Sequence, residues 1–194
     1  MRIGLAGAHR VGKTTLGLAL AEHLGVPFVE THVSRAKIWD ETGIAPSDSV
    51  TFAERVRLQR ALVRHLKEVF DEVKGCKEGW VADRTYLDLL GYLFANVDAT
   101  CSNLWSSEVA ELVADVRELT AETFDKIVLL QPAIPVQTVT NKCGKVYVSN
   151  PYREAINNHV LAYGLKTMPA GSFFAIAEDV LSVEDRLDYI IRRI

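Results

Sequence analysis

Two periods of apolar and polar residues take turns along this chain. Short apolar runs recur at Arg2–Ala6, Val26–Glu30 (VPFVE), Gly79–Asp83 (GWVAD), Lys126–Leu130 (KIVLL) and Phe173–Ala177. Each has the length of a strand and is too short for a helix. Between them lie stretches with helical spacing: Lys13–Leu24, a short one around Val33–Glu41, Thr51–Lys74, Thr85–Asn96, Ser107–Glu122, Asn150–Lys166 and a terminal helix opened by Ser182 with Asp185. The punctuation agrees. Gly25, Gly43 and Gly75 stand where helices need an ending residue. Thr51 with Glu54 and Thr85 with Asp88 fit capping boxes. Asn150-Pro151 opens a helix with proline in its first position. Ala45–Asp48 reads as a loop, and so does Gln131–Ser149, which is long enough to be a lid candidate (131–150). Five strands separated by helices predict an α/β fold with a five-stranded, doubly wound parallel sheet flanked by helices.

Composition narrows the class. With 194 residues, 48% hydrophobic and 24% charged, the chain is too apolar for disorder. It can bury roughly 70% of its unfolded surface without metal or disulfide support, and 1–194 reads as a single domain. The net charge is −3 and the pI is near 6.0, so no global basic field draws it to nucleic acid or membrane. A local basic patch stays open. No apolar run approaches the roughly 18 residues of a membrane span, and the first residues are too short a run for a signal peptide. Cys76, Cys101 and Cys143 are widely spaced and lack a CxxC pair, which excludes a disulfide scaffold and a cysteine zinc site. The expectation is a soluble cytoplasmic domain.

The chemistry begins at residue 7. Gly7-Ala8-His9-Arg10-Val11-Gly12-Lys13-Thr14 has the spacing GxxxxGK[ST] between a strand and a helix. Glycines let backbone N–H groups turn inward around phosphate oxygens, and the helix behind adds its positive dipole end. Lys13 reaches the β- and γ-phosphates, and the Thr14 hydroxyl suits Mg²⁺. The cradle thus comprises Gly7, His9, Arg10, Val11, Gly12, Lys13, Thr14 and Thr15, with His9 given no catalytic role. ATP and Mg²⁺ are the implied cofactors. A GTPase would need DxxG after a strand and NKxD, whereas Asn141-Lys142-Cys143-Gly144 lacks the aspartate. An ABC signature is absent, and the chain is short for a AAA+ motor with its sensor domain. The small-kinase type of P-loop NTPase remains.

The P-loop GAHRVGKTT, a second strand ending in Glu30, a long helix carrying Gln59, and Asp83-Arg84-Thr85 after the third strand together resemble the deoxynucleoside and nucleotide monophosphate kinases. They are similar also to the ribosylnicotinamide kinase domain and to phage-encoded P-loop kinases, for which the location would be the host cytoplasm. The resemblance implies that Glu30 acts as general base on the accepting hydroxyl. It implies that Asp83 holds the Mg²⁺ shell or is itself the base, that Arg84 steadies phosphate charge, and that Gln59 reads a base. This chain has Asp-Arg-Thr where Glu-Arg-Ser is common in that family. Independently of the resemblance, a carboxylate at the carboxyl end of a buried strand faces the ligand crevice of an open α/β sheet. A helix cap is the other use for Asp83, although Thr85 and Asp88 already supply one.

In the Thr51–Lys74 helix, Phe52, Val56, Leu58, Leu62, Val63, Leu66, Val69, Phe70 and Val73 share one face, and Arg57, Arg60, Arg64 and Lys67 another. Arg55 and Gln59 fall inside the apolar face, four residues apart. Polar groups there need partners, and a substrate is one. Arg35 after Glu30, and Arg153 with Lys142 and Lys145 around the lid candidate, are further substrate candidates.

The expected activity is transfer of the γ-phosphate of ATP to a nucleoside or nucleotide. Lys13, Asp83, Arg84 and Glu30 are the catalytic candidates, and Thr14 and Asp83 the metal ligands. Glu30, Arg35, Arg55, Gln59, Arg84 and Arg153 are the substrate contacts. One alternative is a phage-type kinase acting on 5-hydroxymethyluracil in DNA, which the basic stripe would serve. Another is an ATPase switch without a small-molecule acceptor. A homodimer is also left open, and no membrane partner is expected.

Overall fold

A computed structural model describes residues 1–32, 42–43, 51–97, 106–133, 135–136, 139–140 and 146–194, with only the backbone of 139–140 and 146–148. The expected helix at 33–41, the loop at 45–48, Arg35, Lys142 and Lys145 lie outside the described residues. Seven strands and six helices are described: β1 (Arg2–Ala6), α1 (Lys13–Leu24), β2 (Phe28–Val29), α2 (Phe52–Val73), β3 (Trp80–Ala82), α3 (Tyr86–Phe94), α4 (Ser107–Thr123), β4 (Lys126–Leu130), β5 (Val139–Thr140), β6 (Val146–Val148), α5 (Asn150–Thr167), β7 (Phe173–Ile176) and α6 (Val183–Ile191).

Five strands form one parallel sheet in the order β2-β3-β1-β4-β7. The unbroken apolar runs explain why. Ile3, Leu5 and Ala6 on β1 and Ile127–Leu130 on β4 are completely buried, as strands covered on both faces require. In register, Ile3 lies between Val81 of β3 and Lys126 of β4. Helices α1 and α6 pack together, and α2–α5 pack against one another. From β1 the chain travels to the edge at β2, returns through β3, and only then crosses to β4. Strand β1 therefore marks the switch point, and the crevice beyond its carboxyl end is where such sheets bind ligands. Beneath α2, Phe70 stacks on Trp80 at 5.2 Å and meets Phe124 edge-on, fixing that helix against the sheet.

The element boundaries need three corrections. Strand β2 covers only Phe28–Val29. It is an edge strand preceded by Pro27, which has no N–H to give the ladder, and Glu30 lies one residue beyond its end. The segment 131–149 is not all loop, because β5 and β6 pair in an antiparallel ribbon. Helix α5 is capped by Ser149, whose hydroxyl accepts the Tyr152 N–H at 3.3 Å. Asn150 is already helical, and its side-chain oxygen instead accepts the Val136 N–H at 3.0 Å. Two further helix signals match: the Thr51–Glu54 capping box is closed in both directions, and Gly25, at φ 65°, ends α1.

Candidate active site

The turn joining β1 to α1 needs backbone that most residues avoid. Gly7 sits at φ 132° and Gly12 at φ 92°. A Cβ on Gly7 would come within 2.6 Å of the Leu130 carbonyl oxygen. Arg10 takes a left-handed φ of 57° without being glycine. Two buried side chains fasten the start of the turn. The Gly7 N–H donates to Asp88 Oδ1 and the Ala8 N–H to Asn157 Oδ1, both at 2.8 Å. Asp88 also accepts from the N–H and hydroxyl of Thr85. Its role as a helix cap was legible, and its hold on the turn was not. Asn157 gives its amide N–H to the Leu130 carbonyl at 2.7 Å, tying α5 to the end of β4.

Lys13 is buried, and its Nζ donates to the Gly7 and Ala8 carbonyls at 2.6 Å each. Burial, reinforced by the neighbouring Arg84 charge, lowers its pKa to about 8 against the pull of Asp88 and Asp83. Asp83, just past β3, has both oxygens engaged. Oδ1 accepts from the N–H and hydroxyl of Thr31 at 3.1 and 3.0 Å, and Oδ2 accepts the Thr14 hydroxyl at 3.3 Å. Thr31 is buried, and its carbonyl lies 2.8 Å from Nε2 of His65 on α2. One hydrogen-bonded chain thus runs from α2 through the end of β2 to the P-loop. A hydroxyl and a carboxylate converging at the head of α1 are the hard oxygen donors that Mg²⁺ takes. Its remaining positions commonly go to phosphate and water, so one carboxylate and one hydroxyl fit the ion.

Arg84 lies with its guanidinium carbon 5.3 Å from the Tyr92 ring centroid. Burial opposes its charge, but Tyr92, Asp88 and Asp83 outweigh burial and raise its pKa. The His9 ring also packs on Tyr92, with the ring centroids 4.7 Å apart. Burial, with Arg84, Lys13, Arg10 and Arg153 nearby, lowers the His9 pKa to about 3. These surroundings hold the imidazole neutral. Neither ring contact has a sequence signal, since residues 9 and 92 meet only through the fold.

The remaining candidates separate. The Glu30 side chain is 53% exposed and pairs with His32 Nδ1 at 3.2 Å. Gln59 is buried to 7% exposure on α2, and its Oε1 has no hydrogen-bond partner among the described residues. Arg55, one turn before it, is half-buried. Arg153 is completely buried, and its guanidinium lies on main-chain carbonyls of the P-loop. In this structure Arg153, expected on phosphate, contacts the carbonyl side of the turn. Three of the four stripe residues are held in ion pairs: Arg57 with Glu54, Arg60 with Glu111 and Lys67 with Asp71.

A P-loop at the carboxyl end of the central strand, backed by a strand-end carboxylate and set in a five-stranded parallel sheet, defines the small P-loop kinase fold. The chain belongs to a family described as AAA domain, whose model matches residues 2–168. It is similar to deoxyadenosine kinase from M. mycoides with bound dATP, at 17% identity and a TM-score of 0.67, covering 100% of this chain and 98% of that one. The same enzyme with the products dCMP and a flexible dCDP bound gives 18% and 0.63, over 100% and 98%. NadR in complex with NAD and AMP-PNP gives 16% and 0.57, over 99% of this chain and 49% of that one. No curated protein matches the sequence. At these identities the likeness establishes the fold.

Proposed function

We propose that this protein is an ATP-dependent phosphotransferase, one P-loop kinase domain over residues 1–194, acting on a nucleoside-like small molecule in the cytoplasm. Gln59 carries the reading. A buried amide oxygen without a partner is costly, and it stands on the helix that reaches Asp83 through His65 and Thr31. An acceptor that donates a hydrogen bond, such as a nucleobase amine or ring N–H, relieves that cost. A switch that only hydrolyses ATP has no use for it. Support comes also from the M. mycoides structures, whose ligands are deoxynucleotides. No helix among the described residues is long and apolar enough to cross a membrane. Arg57, Arg60 and Lys67 lie beside carboxylates of the protein, so the stripe by itself does not favour DNA.

The two carboxylates divide the work. Asp83 has both oxygens occupied by Thr31 and Thr14, an arrangement for a metal ligand. Glu30, just past β2, is about half exposed with the His32 imidazole beside it, an arrangement for a base. Mg²⁺, held by Thr14 and Asp83, would offset phosphate charge. The acceptor oxygen forms a bond to the γ-phosphorus of ATP as the bond from that phosphorus to the β–γ bridging oxygen breaks. The acceptor proton passes to Glu30, and the products are ADP and the phosphorylated acceptor. Lys13 leaves the Gly7 and Ala8 carbonyls to meet the phosphates, and Arg84 offsets charge on the transferring group.

Steady-state kinetics of two variants test this. Glu30→Gln lowers kcat by about 10²- to 10³-fold with ATP affinity unchanged. Gln59→Leu raises the acceptor KM while the KM for ATP stays put. ATP turnover that needs no acceptor and ignores both substitutions would overturn the proposal.

A further inference from the structure

We propose that Arg153 and Arg186 form a clamp, built from two helices, that fixes the carbonyl face of the P-loop so that its N–H face is presented to a triphosphate. Both are positioning residues that touch no phosphate. The inference rests on residues 7–14 being a phosphate site, as proposed above.

Six consecutive carbonyls of the turn are engaged by the protein. Those of Gly7 and Ala8 accept from Lys13 Nζ. Those of His9 and Arg10 accept from Arg153 Nε at 3.0 Å and Nη2 at 3.2 Å. The Val11 carbonyl accepts from Arg186 Nη1 at 2.8 Å, and that of Gly12 from the Leu16 N–H at 3.0 Å. A trans peptide is planar, so the carbonyl of one residue and the N–H of the next point in opposite directions. Fixing the carbonyls of residues 9, 10 and 11 therefore aims the N–H groups of Arg10, Val11 and Gly12 the other way, as a phosphate cradle requires.

The two arginines also lie where the turn is hardest to hold. Arg153 bonds the carbonyls of the two peptides that flank the Arg10 Cα, and Arg10 is the turn's left-handed residue that is not glycine. Such a conformation persists only where its surroundings impose it. A planar guanidinium fork spans two carbonyls, which a single ammonium cannot do with the same geometry. Arg153 is anchored at its other edge by Asn150 Oδ1 at 3.4 Å, and Arg186 by the Val180 carbonyl at 2.8 Å. Arg186 makes no ion pair among the described residues. Its charge, which guanidinium does not lose, stands behind the turn. When Lys13 moves to a phosphate, the two arginines keep the turn in shape.

The test uses tripolyphosphate, which needs neither acceptor nor base pocket, titrated calorimetrically into the full chain. Arg153→Met and Arg186→Met each weaken its binding about tenfold or more. Arg153→Lys and Arg186→Lys keep the charge without the fork, and serve where the Met variants fail to fold. They weaken binding by about threefold or more. Arg117→Met is the control. It removes bonds to Thr167 and the Lys166 carbonyl at the far end of α5, and it lowers stability without changing tripolyphosphate affinity. In turnover, the clamp variants raise the KM for ATP and leave the acceptor KM alone. Folded variants that bind tripolyphosphate within twofold of wild type would overturn the clamp. Wild type that does not bind tripolyphosphate would remove the phosphate site, and with it both the clamp and the proposed function.

Discussion

Lys13 is the residue through which the site's electrostatics can be measured. Its pKa of about 8 in the ligand-free protein lies below the ordinary 10.5. Above pH 8 the folded, ligand-free protein therefore loses the ammonium that attracts phosphate. Tripolyphosphate affinity should fall about tenfold between pH 7 and pH 9, and binding at pH 9 should take up a proton. Stability moves the opposite way. Between pH 8 and 10.5 the unfolded chain holds a proton that the folded one has released, so Lys13 makes folding more favourable as pH rises through that window. Calorimetry in buffers of different ionisation enthalpy reads the proton directly. Affinity that is flat from pH 7 to 9 would contradict the assignment. His9, with its pKa near 3, stays neutral throughout and does not share in the titration.

At this scale the sequence was most legible where the chemistry is contiguous. Gly7, Gly12, Lys13 and Thr14 sit in one motif, and Asp83 follows a strand. Thr31, Asn157 and Arg186 act on atoms 52 to 175 positions away, and no local pattern announces such a partner. The sequence points to Arg153 as a phosphate contact, and the structure places its guanidinium on the His9 and Arg10 carbonyls of the same turn.

Among the elements, α2 was the most readable, since 22 residues of amphipathic pattern leave little ambiguity. Its cap is independently testable. Thr51 accepts the Glu54 N–H while Glu54 accepts the Thr51 N–H at 2.8 Å. Thr51→Ala should cost about 1 kcal/mol, lowering Tm by roughly 2–4 °C for a chain of this size. Tripolyphosphate affinity should not change, because Gln59 and His65 lie beyond the first turn. Thermal unfolding with and without the ligand checks both halves. The short ribbon of β5 and β6 was harder to see. Its few β-branched and aromatic residues fall inside a stretch with two prolines, where loop signals dominate.

Over the whole molecule, the order β2-β3-β1-β4-β7 gathers residues from distant stretches at one end of the sheet: the P-loop after β1, Glu30 and Thr31 after β2, and Asp83 and Arg84 after β3. Alternating strands and helices indicated a parallel sheet. The order, which makes the site, depends on long-range packing that strand spacing does not encode. The same packing brings Glu111 of α4 to Arg60 of the basic stripe.

The most direct measurement is transfer of labelled γ-phosphate from ATP to a panel of free deoxynucleosides, their monophosphates, ribosylnicotinamide, and duplex DNA with and without 5-hydroxymethyluracil. The proposed function predicts label on a small nucleoside-like acceptor, lost in Glu30→Gln and shifted to higher acceptor concentration in Gln59→Leu. Label released only as free phosphate, whatever acceptor is present, would contradict it.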